Sequence, residues 1–125
     1  MKKILEIKSK IEKINENQNY TFYSGIDENK WNSIWKNKEL IDRETNMTDN
    51  YFEALEFSWD GTVIEVSNIP TEAIIGVRDE EYLNDEDWIN VSMFSNQEKN
   101  KYINSSSLFL VNLFSYKNQI NVKLV

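Results

Sequence analysis

The sequence predicts an α+β domain in which N-terminal helices pack on an antiparallel sheet of about four to six strands, all within one domain spanning residues 1–125. Three observations carry this reading. Ile4, Ile7, Ile11 and Ile14 repeat at the alternating spacing of an amphipathic helix. From Tyr51 onward, runs of aromatic and β-branched residues dominate. Asp60-Gly61 stands between two such runs, a strong short-range signal for a hairpin.

Taken in order, the isoleucine helix has Glu6 and Lys10 as a favourable pair on its solvated side and ends near Asn15–Asn19. Tyr20–Ser24 reads as a short strand punctuated by Gly25. Asp27 is a good N-cap for a second helix, with Ile26 and Trp31 placed as a hydrophobic staple. Trp31, Ile34 and Trp35 share one face of that helix, which runs to about Leu40. Ile41–Asn50 is a polar connection.

In the hairpin a two-residue turn sets Trp59 against Thr62, Phe57 against Ile64 and Leu55 against Val66, so the large apolar side chains gather on one buried face. The same register sets Glu56 opposite Glu65 on the other face, where like charges cost stability. Asn68-Ile69-Pro70 ends the hairpin, Ala73–Val77 is a buried third strand, Asp79–Asp87 an acidic loop, and Ile89, Val91 and Met93 alternate as a fourth strand. Ser95 with Glu98 makes a capping box for a helix over residues 96–103. Leu108–Tyr116 and Gln119–Val125 pair across Lys117-Asn118, with Val111 meeting Leu124, Leu113 meeting Val122 and Ser115 meeting Ile120. The run LFLVNLF also fits a buried helix.

Composition bounds the chemistry. Apolar residues make up 40% of the chain and aromatics 13%, enough for a packed core. There is no Cys and no His, which excludes disulfides, thiolate metal sites, serine triads and imidazole-bound zinc. Any catalysis would rest on carboxylates, Lys, Tyr, Ser, Thr or a hard cation. Asp79-Glu80-Glu81-Tyr82-Leu83-Asn84-Asp85 lacks the spacing and the turn glycine of an EF-hand. Glu65-Val66-Ser67 has Ser where a nuclease carboxylate site wants Lys, and no phosphate loop, dinucleotide fingerprint or nucleophile elbow is present. The chain therefore reads as a non-enzyme, with no catalytic residue, cofactor or metal ligand expected. The start has no continuous apolar core of a signal peptide, and no window is apolar for long enough to span a membrane, so a cytoplasmic protein of a bacterial or phage-infected cell is expected. Abundant Asn, Ile and Lys suggest an AT-rich genome.

The formal net charge of −7 is unevenly spread. Residues 1–50 balance nine bases with nine acids, residues 51–98 carry twelve acids against Arg78 alone, and residues 99–125 carry four lysines and no acid. Such a middle segment disfavours direct nucleic-acid binding and suits a basic protein partner. Glu56, Glu65, Asp79, Glu80, Glu81, Tyr82, Asp85, Glu86, Asp87 and Trp88 are the expected partner-binding residues, acids dotted with aromatic anchors.

The functional expectation is a small acidic antagonist that binds and blocks a basic or nucleic-acid-binding partner, an immunity protein or a phage anti-defence inhibitor of the anti-CRISPR type. It rests on class analogy of size and charge. A small-ligand domain, with Trp31, Trp35 and neighbouring tyrosines lining a pocket, is the alternative. A metal-dependent hydrolase using the carboxylates is the third reading.

Overall fold

The computed structural model describes residues 19–41, 44–78 and 88–125. Seven strands among them form one sheet: β1 (Asn19–Ile26), β2 (Glu44–Thr48), β3 (Thr62–Pro70), β4 (Ile74–Arg78), β5 (Ile89–Asn90), β6 (Leu108–Asn112) and β7 (Asn121–Leu124). Their order is β5-β4-β6-β2-β1-β3-β7, and every neighbouring pair is antiparallel. Three short helices lie between strands. The first, α1, opens at Glu28–Lys30 and continues as a π-helical turn over Trp31–Trp35; α2 is Tyr51–Phe57 and α3 is Asn96–Asn104.

This corrects the expected architecture of N-terminal helices on four to six strands. The sheet is larger, and the helices are distributed along the chain. The helix expected on Ile4, Ile7, Ile11 and Ile14 and the acidic loop Asp79–Asp87 lie outside the described residues. Strand β2 reads from sequence as a polar connection, and the strand expected through Phe57 is a helix instead. Only Met47 and Thr48 of β2 are buried, so its own pattern is weak. Five consecutive pairings with β6, from Glu44↔Asn112 to Thr48↔Leu108, make it a strand.

Alternation along β1 buries Tyr20, Phe22, Ser24 and Ile26 on one face. Phe22 stacks on Phe109 of β6 at 4.2 Å between ring centroids. Ile64, Val66, Ile74, Val77 and Val111 complete this core face, which Trp35, Ile41, Ile103, Leu113 and Ile120 cover. Asp27 caps α1 by accepting the Lys30 N–H at 2.7 Å, as its position predicts. Ser95 likewise accepts the Glu98 N–H at 3.3 Å and starts α3. A buried polar cluster pins α3 down: the Tyr20 hydroxyl donates to Asn100 Oδ1, and Thr71 Oγ1 reaches the same oxygen at 3.3 Å.

The expected hairpin is overturned. Tyr51–Phe57 is helical because Asn50 Oδ1 accepts the N–H groups of Phe52 at 2.9 Å and Glu53 at 3.3 Å. Asp60-Gly61 does make a turn, with Gly61 at φ 82°, but it joins a helix to a strand. Ile64 and Val66 are buried as expected, whereas Leu55, Phe57 and Trp59 are exposed. Glu56 is therefore on a helix and not across a ladder from Glu65.

The second expected hairpin also fails. Leu108–Asn112 is a strand, but β6 pairs with β4 and β2, and β7 lies at the far edge beside β3. The chain does turn tightly at Lys117-Asn118, where the Tyr116 carbonyl accepts the Gln119 N–H at 2.9 Å, but this turn does not join two paired strands. The chain runs through a 3-10 turn at Phe114–Tyr116 and buries Leu113 and Ile120 completely on the way. Lys38 Nζ donates to the Ile120 carbonyl at 2.9 Å and holds that crossing in place. Strand β3 is not broken at Asn68, which takes φ 59°, a left-handed conformation Asn tolerates, while the strand runs on to Pro70. The fourth expected strand shrinks to Ile89–Asn90, with Met93 exposed beyond it.

Candidate functional site

Side chains on the face of the sheet opposite the main core are more polar, and α2 lies across part of it. Tyr23 and Gly25 of β1 point to this face, since their neighbours Phe22, Ser24 and Ile26 point to the core. Ala54 is the buried residue of α2. Its carbonyl comes so close to Gly25 that a Cβ there would stand 2.1 Å from the oxygen. Tyr51 meets Tyr23 edge-on at 6.1 Å and Phe52 at 5.4 Å, and Thr48 Oγ1 donates to Glu53 at 2.9 Å. The helix is thus seated closely on β1 and β2.

Its outward side is unusual. Phe52, Leu55 and Glu56 occupy the spacing that puts three residues on one helix face. Phe52 is 72% exposed, Phe57 57% and Trp59 90%, far more than soluble proteins usually leave of such side chains in one stretch. Trp59 is held out on a well-bonded turn. Ser58 Oγ accepts the Gly61 N–H at 3.1 Å, and Asp60 accepts the N–H groups of Thr62 at 3.1 Å and Glu28 at 3.0 Å.

The aromatics stand in an acidic field. From residue 44 to 77 the chain carries seven carboxylates and not one Lys or Arg. Two of these acids are engaged elsewhere: Glu65 pairs with Lys123 at 3.0 Å, and Glu72 accepts Asn96 Nδ2 at 2.7 Å. Asp49 and Glu56 are exposed on the helix side, and Asp60 with Glu28 lies beside Trp59.

The expected site residues separate accordingly. Glu56 is exposed on α2 next to the aromatics. Glu65 is half-buried in β3, opposite Lys123 on one side and Tyr23 on the other. The Tyr23 hydroxyl donates to it at 3.3 Å, and burial, followed by the Glu65 charge, raises the tyrosine pKa. The supposed repulsion between Glu56 and Glu65 is replaced by an ion pair. Glu65→Lys should therefore lower stability by a few tenths to about 1 kcal/mol, as it sets two ammonium groups across a ladder. A higher urea midpoint for this variant would contradict the register.

Trp88 is half-buried, with the Arg78 guanidinium 5.6 Å above its ring and Gly76 beneath it. It walls a cleft of about 470 Å³ floored by Ile75, Gly76 and Leu110 and reached by Glu44 and Asn112. Asp79, Glu80, Glu81, Tyr82, Asp85, Glu86 and Asp87 lie outside the described residues. Among the described residues, no group of three acids stands close enough to hold a metal ion, and no helix is long and apolar enough to cross a membrane.

Phe52, Phe57 and Trp59 were not among the residues expected at a site, because the hairpin register buried the last two. The signal that would have found them is Asn50 with Glu53 three residues on, a helix start that turns this segment outward.

The turn beside Trp59 has a titration signature. The Thr62 side chain, then the Glu28 N–H, hold the Asp60 carboxyl below its ordinary value. A lowered folded-state pKa contributes stability that is fully present above about pH 4 and is lost as pH falls through the folded value. Asp60→Asn should flatten the acid limb of a urea-midpoint-against-pH curve, and an unchanged limb would show that the turn does not depend on the charge.

No family model matches this chain, and no curated protein or solved structure matches it either.

Proposed function

We propose that the chain is a small non-catalytic antagonist that binds and blocks a basic partner protein, a toxin or a nucleic-acid-binding effector, as immunity proteins and anti-CRISPR-type phage inhibitors do. The observation that carries the reading is the set of exposed aromatics at Phe52, Phe57 and Trp59, held on a seated helix and turn within a stretch of carboxylates that has no basic residue. Exposed rigid aromatics supply contact area at little entropic cost, and surrounding like charge selects the partner's sign and speeds encounter. The acidic run from Asp79 to Asp87 adds six carboxylates to the chain's negative charge, and Trp88, which follows it, is a second proposed anchor. The proposed setting is the cytoplasm of a bacterial or phage-infected cell, and nucleic acid is not itself bound.

The test immobilises the intact chain, captures partners from its cell of origin, and follows the captured protein with purified components. The expected partner is basic, its association slows markedly between low and physiological salt, and Trp59→Ser with Phe57→Ser abolishes capture. A partner that is acidic, or one bound equally at all salt concentrations and by the double variant, would overturn the proposal.

A further inference from the structure

Asn90 of β5, Gly76 of β4, Leu110 of β6 and Asn46 of β2 pair in one row across the sheet. Directly paired residues share a face, as do residues two apart along a strand. Glu44 and Asn112, themselves a pair, therefore stand on the same face as Gly76 and Leu110, opposite the core face of Phe109 and Val111. Trp88 lies over Gly76 on this side, its ring 3.4 Å from where a Cβ would stand. The cleft of about 470 Å³ extends from Trp88 across Leu110 to Glu44 and Asn112. Strand β2 is two strand spacings from β4, about 10 Å, so Trp88 and Glu44 mark opposite ends.

The two ends differ in chemistry. Trp88 and Leu110 are half-buried and offer apolar surface. The Arg78 guanidinium stands 5.6 Å over the Trp88 ring, so a positive charge already sits at that end. At the other end Glu44 is exposed and forms no ion pair among the described residues, and it alone is charged among those that line the cleft. The two asparagines are half engaged. Asn90 Oδ1 accepts the Ser92 N–H at 2.9 Å and its hydroxyl at 2.6 Å, and Asn112 Oδ1 accepts the Phe114 N–H at 3.2 Å. Each keeps its Nδ2 as a donor with no bond among the described residues.

We infer that this cleft takes an extended peptide segment of a basic partner, with an arginine or lysine side chain reaching Glu44 and a neighbouring apolar side chain against Trp88 and Leu110. Charge complementarity selects the cation, and Arg78 keeps it at the Glu44 end. The asparagine amides suit the carbonyl groups of a peptide, which a free amine lacks. The owner of the segment rests on the antagonist reading, whereas the ligand chemistry rests on the cleft alone.

The test follows backbone amide signals of the isotope-labelled intact chain during titration with N-acetyl-leucyl-arginine amide at millimolar concentration. Those of Gly76, Asn90 and Leu110 should shift saturably. The citrulline counterpart, equal in shape but neutral, and the glycyl-arginine counterpart, without the apolar side chain, should each bind about tenfold more weakly or worse. Glu44→Gln, at an exposed position, should bind the arginine peptide no better than the parent binds the citrulline one. The inference is overturned if those signals do not saturate, if citrulline serves as well as arginine, if the glycyl peptide binds as tightly, or if Glu44→Gln binds like the parent. A captured partner that is acidic, with peptide binding intact, would sink the antagonist reading and leave the ligand chemistry standing. A basic partner that holds Glu44→Gln as tightly as the parent would do the reverse.

Discussion

Gly25→Ala should unfold at a markedly lower urea concentration than the parent chain. A Cβ at this position would stand 2.1 Å from the Ala54 carbonyl oxygen, 2.7 Å from the Ser58 nitrogen and 3.0 Å from the Phe57 carbonyl carbon. All three are backbone atoms of α2 and its C-terminal end, so no side-chain rotation relieves the clash. The helix must lift from β1, which opens the contacts of Ala54 and Tyr51 with the sheet. Overpacking of a fitted site costs about 1–3 kcal/mol and at times more, and a collision with backbone belongs at the upper end. For a chain of this size that lowers the thermal midpoint by on the order of 10 °C. Gly61→Ala is the informative companion. Gly61 has φ 82° and open space around it, so the cost there is backbone strain alone, roughly 1 kcal/mol. Equal stability of Gly25→Ala and the parent would mean that α2 does not lie on β1.

Trp59→Ala should leave stability nearly unchanged and weaken partner binding severely. With 90% of its surface exposed, Trp59 contributes almost nothing to the core, and surface substitutions of this kind fall within about 0.5 kcal/mol. A tryptophan that becomes desolvated in the centre of an interface is worth on the order of 2 kcal/mol or more, or about thirtyfold in Kd. The loss should fall on dissociation, since the side chain acts after contact is made. Reversing Asp49 and Glu56 to Lys should act on association instead, with an effect that fades as salt is raised. Calorimetry and stopped-flow binding on the same three proteins separate the two contributions. If Trp59→Ala binds as tightly as the parent, the docking surface lies elsewhere, and the Trp88 cleft becomes the place to look.

The Glu65 variant bears on how these segments are arranged, because an ion pair with Lys123 was hidden from any local reading. Residue 65 and residue 123 are brought side by side by the β3–β7 pairing, and nothing near either position announces it.

What the sequence determined by itself is the set of features that depend on near neighbours. The caps at Asp27 and Ser95, the strand through Phe22, the strand entered at Ile74 and the helix after Ser95 follow from side chains that bond or alternate within a few residues. The surplus of carboxylates in the middle of the chain is likewise a property of the sequence alone. The sheet order, the strand character of Glu44–Thr48 and the separation of β6 from β7 were decided by tertiary structure. Residues 51–57 show why. Their apolar positions fit a strand at period two and a helix with one small buried residue equally well, so periodicity cannot choose between them. The choice fell to the Asn50 cap and to Gly25, a residue more than twenty positions away whose missing side chain lets a helix backbone settle on β1. Because that contact buries Ala54 and little else of α2, Phe52, Phe57 and Trp59 were left facing out. Long-range packing turned Phe57 and Trp59, which read as core, into part of the candidate surface.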